Sequence, residues 1–440
     1  MDRNFRFAFT ALTSLFFIWG FITVVVDAFI PRLKEVFELS YAQAGLVQVA
    51  WFLAYLVLSI PGGLILSKIG YKKGIITGLF VAGLGCILFY PAAAFREFSL
   101  FLLALFVLAG GLTFLQVSAN PFVSVLGDES GAASRLNLSQ AFNSLGTTLA
   151  PIFSATFLLS DSILTSEGIA DLSADERITY LSNEASAVQL PFIMIGLVLV
   201  ALALVFFFLK LPRILDDYKK SSFIDALKHK NLKLGIIAIF LYVGAEVAIG
   251  SYLTNYFLSL DLQNTIKESD LLSTVSAGIS ATFSGKAFST LDDKAVVGGF
   301  LIFYWGGAMI GRFIGSYLTR VMKTGMVLAS FSFLAIAMLL ITISSSGLLA
   351  MASALSIGLF NSIMFPTIFT MSIDGLGDSK PQASGLLCTA IFGGAIIPPL
   401  FGTLVDAYGF NLAFCLPVLC YGFIWFFSRR STRKTKTQLN

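Results

Sequence analysis

Long apolar stretches separated by short polar connectors run along almost the whole chain. A helix needs roughly 20 apolar residues to cross about 30 Å of hydrocarbon. Twelve runs reach that length, at 7–30, 43–67, 74–95, 99–126, 136–160, 189–211, 234–259, 296–318, 325–344, 347–371, 383–406 and 410–428. The fourth and fifth are the most interrupted, by Asn120, Pro121, Asn137, Gln140 and Asn143. Polar and helix-breaking residues survive at membrane depth where other helices or a cavity satisfy them. Those two runs are therefore expected on an internal surface. The pattern predicts an all-α membrane protein with 12 transmembrane helices.

The runs divide as six and six around a basic stretch, KLPRILDDYKKSSFIDALKHKNLK. The expected organisation is an N-terminal six-helix half (1–211), a basic linker (212–233) and a C-terminal six-helix half with its tail (234–440). Two six-helix halves around a central site are typical of one large transporter class. Two connectors, 161–188 and 260–295, are longer than the rest; the first has room for a short helix, and neither is assigned a function. Gly307, Gly311 and Gly315 form a small-xxx-small stripe that permits close helix contact. Gly393, Gly394, Pro398 and Pro399 are expected to bend or break the eleventh helix.

Composition reinforces the membrane reading: 57% of the 440 residues are hydrophobic and 12% charged, against about a quarter charged in soluble proteins. The first run starts too near Met1 and is too long for a signal-peptide core, so it is read as the first membrane helix. Lys and Arg split 21 to 7 between the two sides when the N-terminus is placed inside, with Arg312 within a span. That bias puts both termini in the cytoplasm. Cys86, Cys388, Cys415 and Cys420 lie in apolar runs and read as small buried hydrophobes. With one histidine, His229, in a basic loop, there is no catalytic or metal constellation that would make an enzyme. The basic residues form no aromatic-interleaved patch for nucleic acid, and a monomer is expected.

Candidate chemistry rests on the few polar groups at membrane depth. An ionisable residue there is a functional-site hypothesis by default, and the clear ones are Asp27, Glu246 and Arg312. Gln116, Asn120, Gln140, Asn143 and Asn361 add uncharged donors and acceptors. Asp27, Gln116, Glu246 and Asn361 fall one on each of helices one, four, seven and ten, which usually surround the pathway in such a transporter. Amides and carboxylates suit the recognition of hydroxyl groups. Phe21, Tyr242, Tyr252, Tyr304 and Trp305 offer aromatic faces to the C–H faces of a sugar ring. Each has a plainer alternative: Asp27 pairing with Arg32 at the interface, the amides locking helices together, and Arg312 as a structural cation.

GLILSKIGYKKG (Gly63 to Gly74) resembles the major facilitator superfamily signature between helices two and three, with Ser67 where an acidic residue usually stands. LQVSANPFVSVLG (Leu115 to Gly127), SRLNLSQAFNSLGTTLAP (Ser134 to Pro151), YVGAEVAIGSYL (Tyr242 to Leu253) and FNSIMFPTIFTMSI (Phe360 to Ile373) are more specific. Together they resemble the fucose:proton symporter family and, within it, the glucose/galactose transporter branch, from about residue 10 to 428. The resemblance implies uptake of a monosaccharide through the bacterial inner membrane by alternating access. It also implies that Asp27 is the acidic residue of helix one, that Gln140 and Asn143 line the sugar site, and that Asn120 belongs to the helix-four turn. Gln116 stands where the fucose transporter has glutamate, and an amide cannot take up a proton.

Coupling is thus open between two ions. In one scheme Asp27 alone carries a proton, and in the other it ligates Na+, the slightly favoured expectation because a lone carboxylate can stay ionised. Glu246 is the second coupling candidate, and no cofactor is expected. The substrate expected is glucose or galactose, the alternatives being fucose or N-acetylglucosamine, or a sugar sensor on the same fold.

Overall fold

The computed structural model describes residues 3–28, 41–157, 171–212, 222–283 and 287–437. Six long helices come first: α1 (Arg3–Ala28), α2 (Tyr41–Ile69), α3 (Tyr71–Phe95), α4 (Phe98–Val125), α5 (Ala132–Phe157) and α6 (Ala174–Phe208). The second set comprises α7 (Lys230–Ser259), α8 (Leu301–Val321), α9 (Thr324–Ser344), α10 (Gly347–Asn361, then Met364–Ile373), α11 (Lys380–Thr389, then Gly393–Tyr408) and α12 (Cys415–Thr437). Eleven stretches among the described residues are long and apolar enough to cross a membrane. The remaining expected run, 136–160, is helical as α5 over its described residues, to Phe157, but its amides and hydroxyls dilute its apolar character.

Connectors depart from expectation in two places. Most of the described part of 161–188 belongs to α6, which starts in a capping box: the Ser173 hydroxyl accepts from the Glu176 N–H, and the Glu176 carboxylate accepts from the Ser173 N–H at 3.1 Å. That reciprocal cap satisfies donors that would otherwise be orphaned and lets one 35-residue helix run out beyond the apolar segment. The 260–295 stretch is also largely helical, as Leu262–Glu268, Asp270–Phe283 and Asp293–Gly298. Of the linker, 222–233 is described and carries a short helix, Phe223–Lys228.

Packing repeats with a shift of six helices. In the first set α1 pairs with α5, α2 with α4, α3 with α4 and α3 with α6; in the second, α7 pairs with α11, α8 with α10, α9 with α10 and α9 with α12. Contact between the sets runs mainly through α2 against α11 and α5 against α8, which the same shift interchanges. Small residues permit the first crossing: a Cβ on Gly63 would meet the Pro381 carbonyl at 2.9 Å, and one on Gly385 the Ser59 carbonyl at 2.6 Å. The glycine stripe of α8 behaves as expected, since Gly311 and Gly315 leave no room for a side chain beside Leu359, Ser362 and Ile363. Those residues flank the break in α10.

At the loop end, polar contacts close the seam. Lys380 of α11 pairs with Glu129 of the α4–α5 connector at 2.9 Å, Ser384 donates to the Val117 carbonyl at 2.7 Å, and Asn137 donates to Thr367 at 3.1 Å. Ser67 does not join this set, because its hydroxyl bonds back to the Leu64 carbonyl at 2.7 Å. A cavity of about 960 Å³ lies beside the Lys380 pair, lined in part by Arg320, Lys323 and Asp374. Although Asp374 is largely exposed, desolvation by its loops and then the Glu129 charge push its carboxyl up, against the pull of Lys380 and a hydrogen bond at Gly375.

The sign follows from linkage. A carboxyl raised in the folded state favours folding while protonated and loses that contribution as pH rises from the ordinary carboxylate range. Asp374→Asn is therefore expected to raise the melting temperature in detergent at neutral pH, with the gain vanishing under acidic conditions. A melting temperature lowered at neutral pH would show that the Lys380 attraction dominates instead.

Candidate functional site

The polar residues of the spans form hydrogen-bonded groups within each half. In the first half Gln116 and Asn120 stand one turn apart on α4, and Gln140 and Ser144 one turn apart on α5, so each pair shares a helix face. The Gln116 amide donates to the Tyr55 hydroxyl at 2.7 Å, and the Gln140 amide donates to the Asn120 side-chain carbonyl at 3.4 Å. Asn120 is fully buried and its amide nitrogen has no partner. An orphaned buried donor costs about 1–3 kcal/mol, which a water or a ligand oxygen would offset.

Asn143 is held differently. Its amide donates to the Phe16 carbonyl at 2.9 Å, and Gly20 of α1 sits against it so closely that a Cβ there would meet the Asn143 amide nitrogen at 2.7 Å. Its nitrogen thus fastens α1 to α5. Asp27 lies in the last turn of α1, where the structure describes its backbone; its side chain, and Arg32 altogether, lie outside the described residues.

In the second half, Tyr242 and Glu246 are one turn apart on α7, and the Tyr242 hydroxyl donates to Glu246 at 2.7 Å. Asn361, the last residue before the α10 break, donates to the Tyr304 hydroxyl at 2.8 Å and to the Tyr421 hydroxyl at 3.2 Å. Its carbonyl oxygen is buried and unpartnered. Tyr304 and Tyr421 both interact electrostatically with Glu246, so Glu246 and Asn361 belong to one cluster. Of the five expected aromatic residues, Tyr242 and Tyr304 engage this cluster through their hydroxyl groups. Tyr252 packs against Phe401 with centroids 5.2 Å apart, and Trp305 lies edge-on to Tyr304.

Arg312 joins the two clusters. Its Nη2 is 4.0 Å from Glu246 Oε1, and its Nε donates to the Ser362 carbonyl at 3.1 Å. On the other side Nη1 donates to the Ser144 hydroxyl and, at 3.5 Å, to the Gln140 carbonyl of α5. The residues sequence reasoning missed are Tyr55, Ser144 and Tyr421. Ser144 had a weak signal in its spacing from Gln140; the tyrosines look like any core aromatic.

Chemically, the arrangement offers amide and hydroxyl groups on one side and a compensated carboxylate on the other. Such a surface can hydrogen-bond a polyhydroxylated ligand and change charge at one carboxyl. Among the described residues, no group of three or more His, Cys, Asp or Glu gathers to hold a metal ion.

Known proteins resemble this chain closely. The Major Facilitator Superfamily pattern matches residues 8–298. A protein of Brucella abortus named glucose/galactose transporter is 46% identical over 432 residues, covering 97% of this chain and 94% of its own. The L-fucose-proton symporter of Escherichia coli is 33% identical over 438 residues, with 97% and 94% covered. In three dimensions, the crystal structure of the transporter FucP in its outward conformation superposes with a TM-score of 0.85 at 31% identity, covering 98% of this chain and 99% of that one. Nearly the whole chain is matched. The chain belongs to the Major Facilitator Superfamily, in the group that holds these glucose/galactose transporters and L-fucose-proton symporters.

Proposed function

We propose that this protein imports a hexose of the glucose or galactose type together with a proton, by alternating access of its two halves. The observation that carries the proposal is the seam at Arg312, which joins Glu246 of α7 to Ser144 and Gln140 of α5, with Gln140 bonded in turn to Asn120. Hydroxyl recognition falls to the amides, and charge compensation to the carboxyls. Asp27 and Glu246 are the proposed coupling residues, with Asn143 shaping the site by holding α1 against α5.

The relatives guide the choice of sugar and ion. Greater identity to the glucose/galactose transporter than to the fucose symporter favours the former substrates. The relatives whose names state a coupling ion state the proton, so the proton replaces Na+ ligation by Asp27 as the preferred scheme. We place the protein in the bacterial inner membrane as a monomer, with both termini cytoplasmic and residues 212–233 linking halves 1–211 and 234–440. The Lys380–Glu129 pair then lies on the cytoplasmic face.

Equilibrium binding tests the substrate. Labelled galactose should bind the purified protein and be displaced by unlabelled glucose at concentrations about 10-fold or more below those needed for fucose or N-acetylglucosamine, the ratio one well-placed hydroxyl contact can produce. Preferential displacement by fucose would favour the alternative substrate.

A further inference from the structure

We propose that Arg312 is a positioning residue that links sugar occupancy on α5 to the charge of Glu246 on α7. The inference rests on the proposed function above and adds a role for a residue that sequence alone presented as a structural cation. Its guanidinium is a planar fork whose donors point in fixed directions, and here the fork is divided between the halves. Nη1 reaches the Ser144 hydroxyl and the Gln140 carbonyl, while Nη2 and Nε face Glu246 and the Ser362 carbonyl.

Two features make this link responsive. The Glu246 contact is loose, at 4.0 Å, with 15% of each side chain exposed, so it is the weakest of the contacts that hold the guanidinium. The charged group recorded against Glu246 among the described residues is Arg312; the other titratable groups facing it are the hydroxyls of Tyr242 on its own helix, Tyr304 on α8 and Tyr421 on α12. When Glu246 is ionised, Nη2 is drawn toward α7. When Glu246 is neutral, that attraction disappears and the guanidinium depends on α5 and on Ser362.

The α5 end meets the sugar site directly. Gln140 gives its backbone carbonyl to Arg312 and its side chain to Asn120. A ligand that engages the Gln140 side chain and shifts α5 with it changes the position of the guanidinium, and Glu246 senses the change across the seam. By reciprocity, the charge of Glu246 alters sugar affinity by the same factor.

The test is a double-mutant cycle on equilibrium binding of labelled galactose to the purified full-length protein across a range of pH. Arg312→Gln should weaken binding about 10-fold, and by no more than about 2-fold in a Glu246→Gln background, since contacting residues couple non-additively. Ser144→Ala, a mild change that keeps the charge, should weaken binding about 3-fold and move the pH of half-maximal binding, with neither effect present in Arg312→Gln. Should Arg312→Gln fail to fold, Ser144→Ala read with and without Arg312→Lys supplies the cycle. Equal fold-changes in both backgrounds, or an unmoved pH profile in Ser144→Ala, would overturn the role of Arg312. Absence of hexose binding by the unaltered protein would instead overturn the proposed function on which it stands.

Discussion

Asp27→Asn is expected to abolish gradient-driven accumulation of sugar while leaving exchange of sugar across the membrane measurable. Asp27 lies at the end of a helix that is otherwise almost wholly apolar, and a carboxyl there is expensive unless it serves a cavity or a partner. Asparagine keeps the size and the hydrogen-bonding capacity but cannot take up and release a proton. Loss of coupling should leave the internal sugar level with the external concentration instead of above it. Counterflow in vesicles separates the two activities, since it needs sugar movement without net proton movement. Full accumulation by the variant would remove Asp27 from coupling and return it to the interface, beside Arg32.

Glu246→Gln is expected to be nearly as damaging, for a different reason. Removing one member of a buried ion pair leaves the other uncompensated, at about 3–5 kcal/mol. Here Arg312 keeps its contacts to Ser144, Gln140 and Ser362, so a loss of about 2 kcal/mol is expected, that of a charged hydrogen-bonding group. The melting temperature should fall, and it should recover in part when Arg312 is also changed to Gln, because the pair then disappears together. Accumulation should drop about 10-fold or more, because glutamine can still accept from Tyr242 but cannot take up and release a proton. A stable variant with unchanged transport would show that the carboxylate is dispensable.

The helical architecture was legible because membrane spans announce themselves by length and apolarity. Boundaries were less so: the capping box at Ser173 moved the start of α6 well outside its apolar run, and caps act through local hydrogen bonds that hydropathy does not register. The break in α10 at Ser362 and Ile363 went unforeseen although the sequence carries its cause: Pro366 stands four residues after Ser362 and lacks the N–H that would bond the Ser362 carbonyl, which accepts from Arg312 instead. In the site, Glu246, Arg312 and the amides stood out as polar groups in apolar runs. How they pair did not. Arg312 and Ser144 are 168 residues apart, and only the folded chain brings their helices together. Tyr55 and Tyr421 carry their hydroxyls on core-like rings that no spacing distinguishes.

The most direct test of the central claim is uptake of labelled galactose and glucose into proteoliposomes holding the purified protein, with pH and sodium gradients imposed separately. Accumulation above equilibrium when the outside is acidic, collapsing with a protonophore, is the predicted result. No accumulation of either sugar under the pH gradient, or accumulation driven by sodium alone, would contradict it.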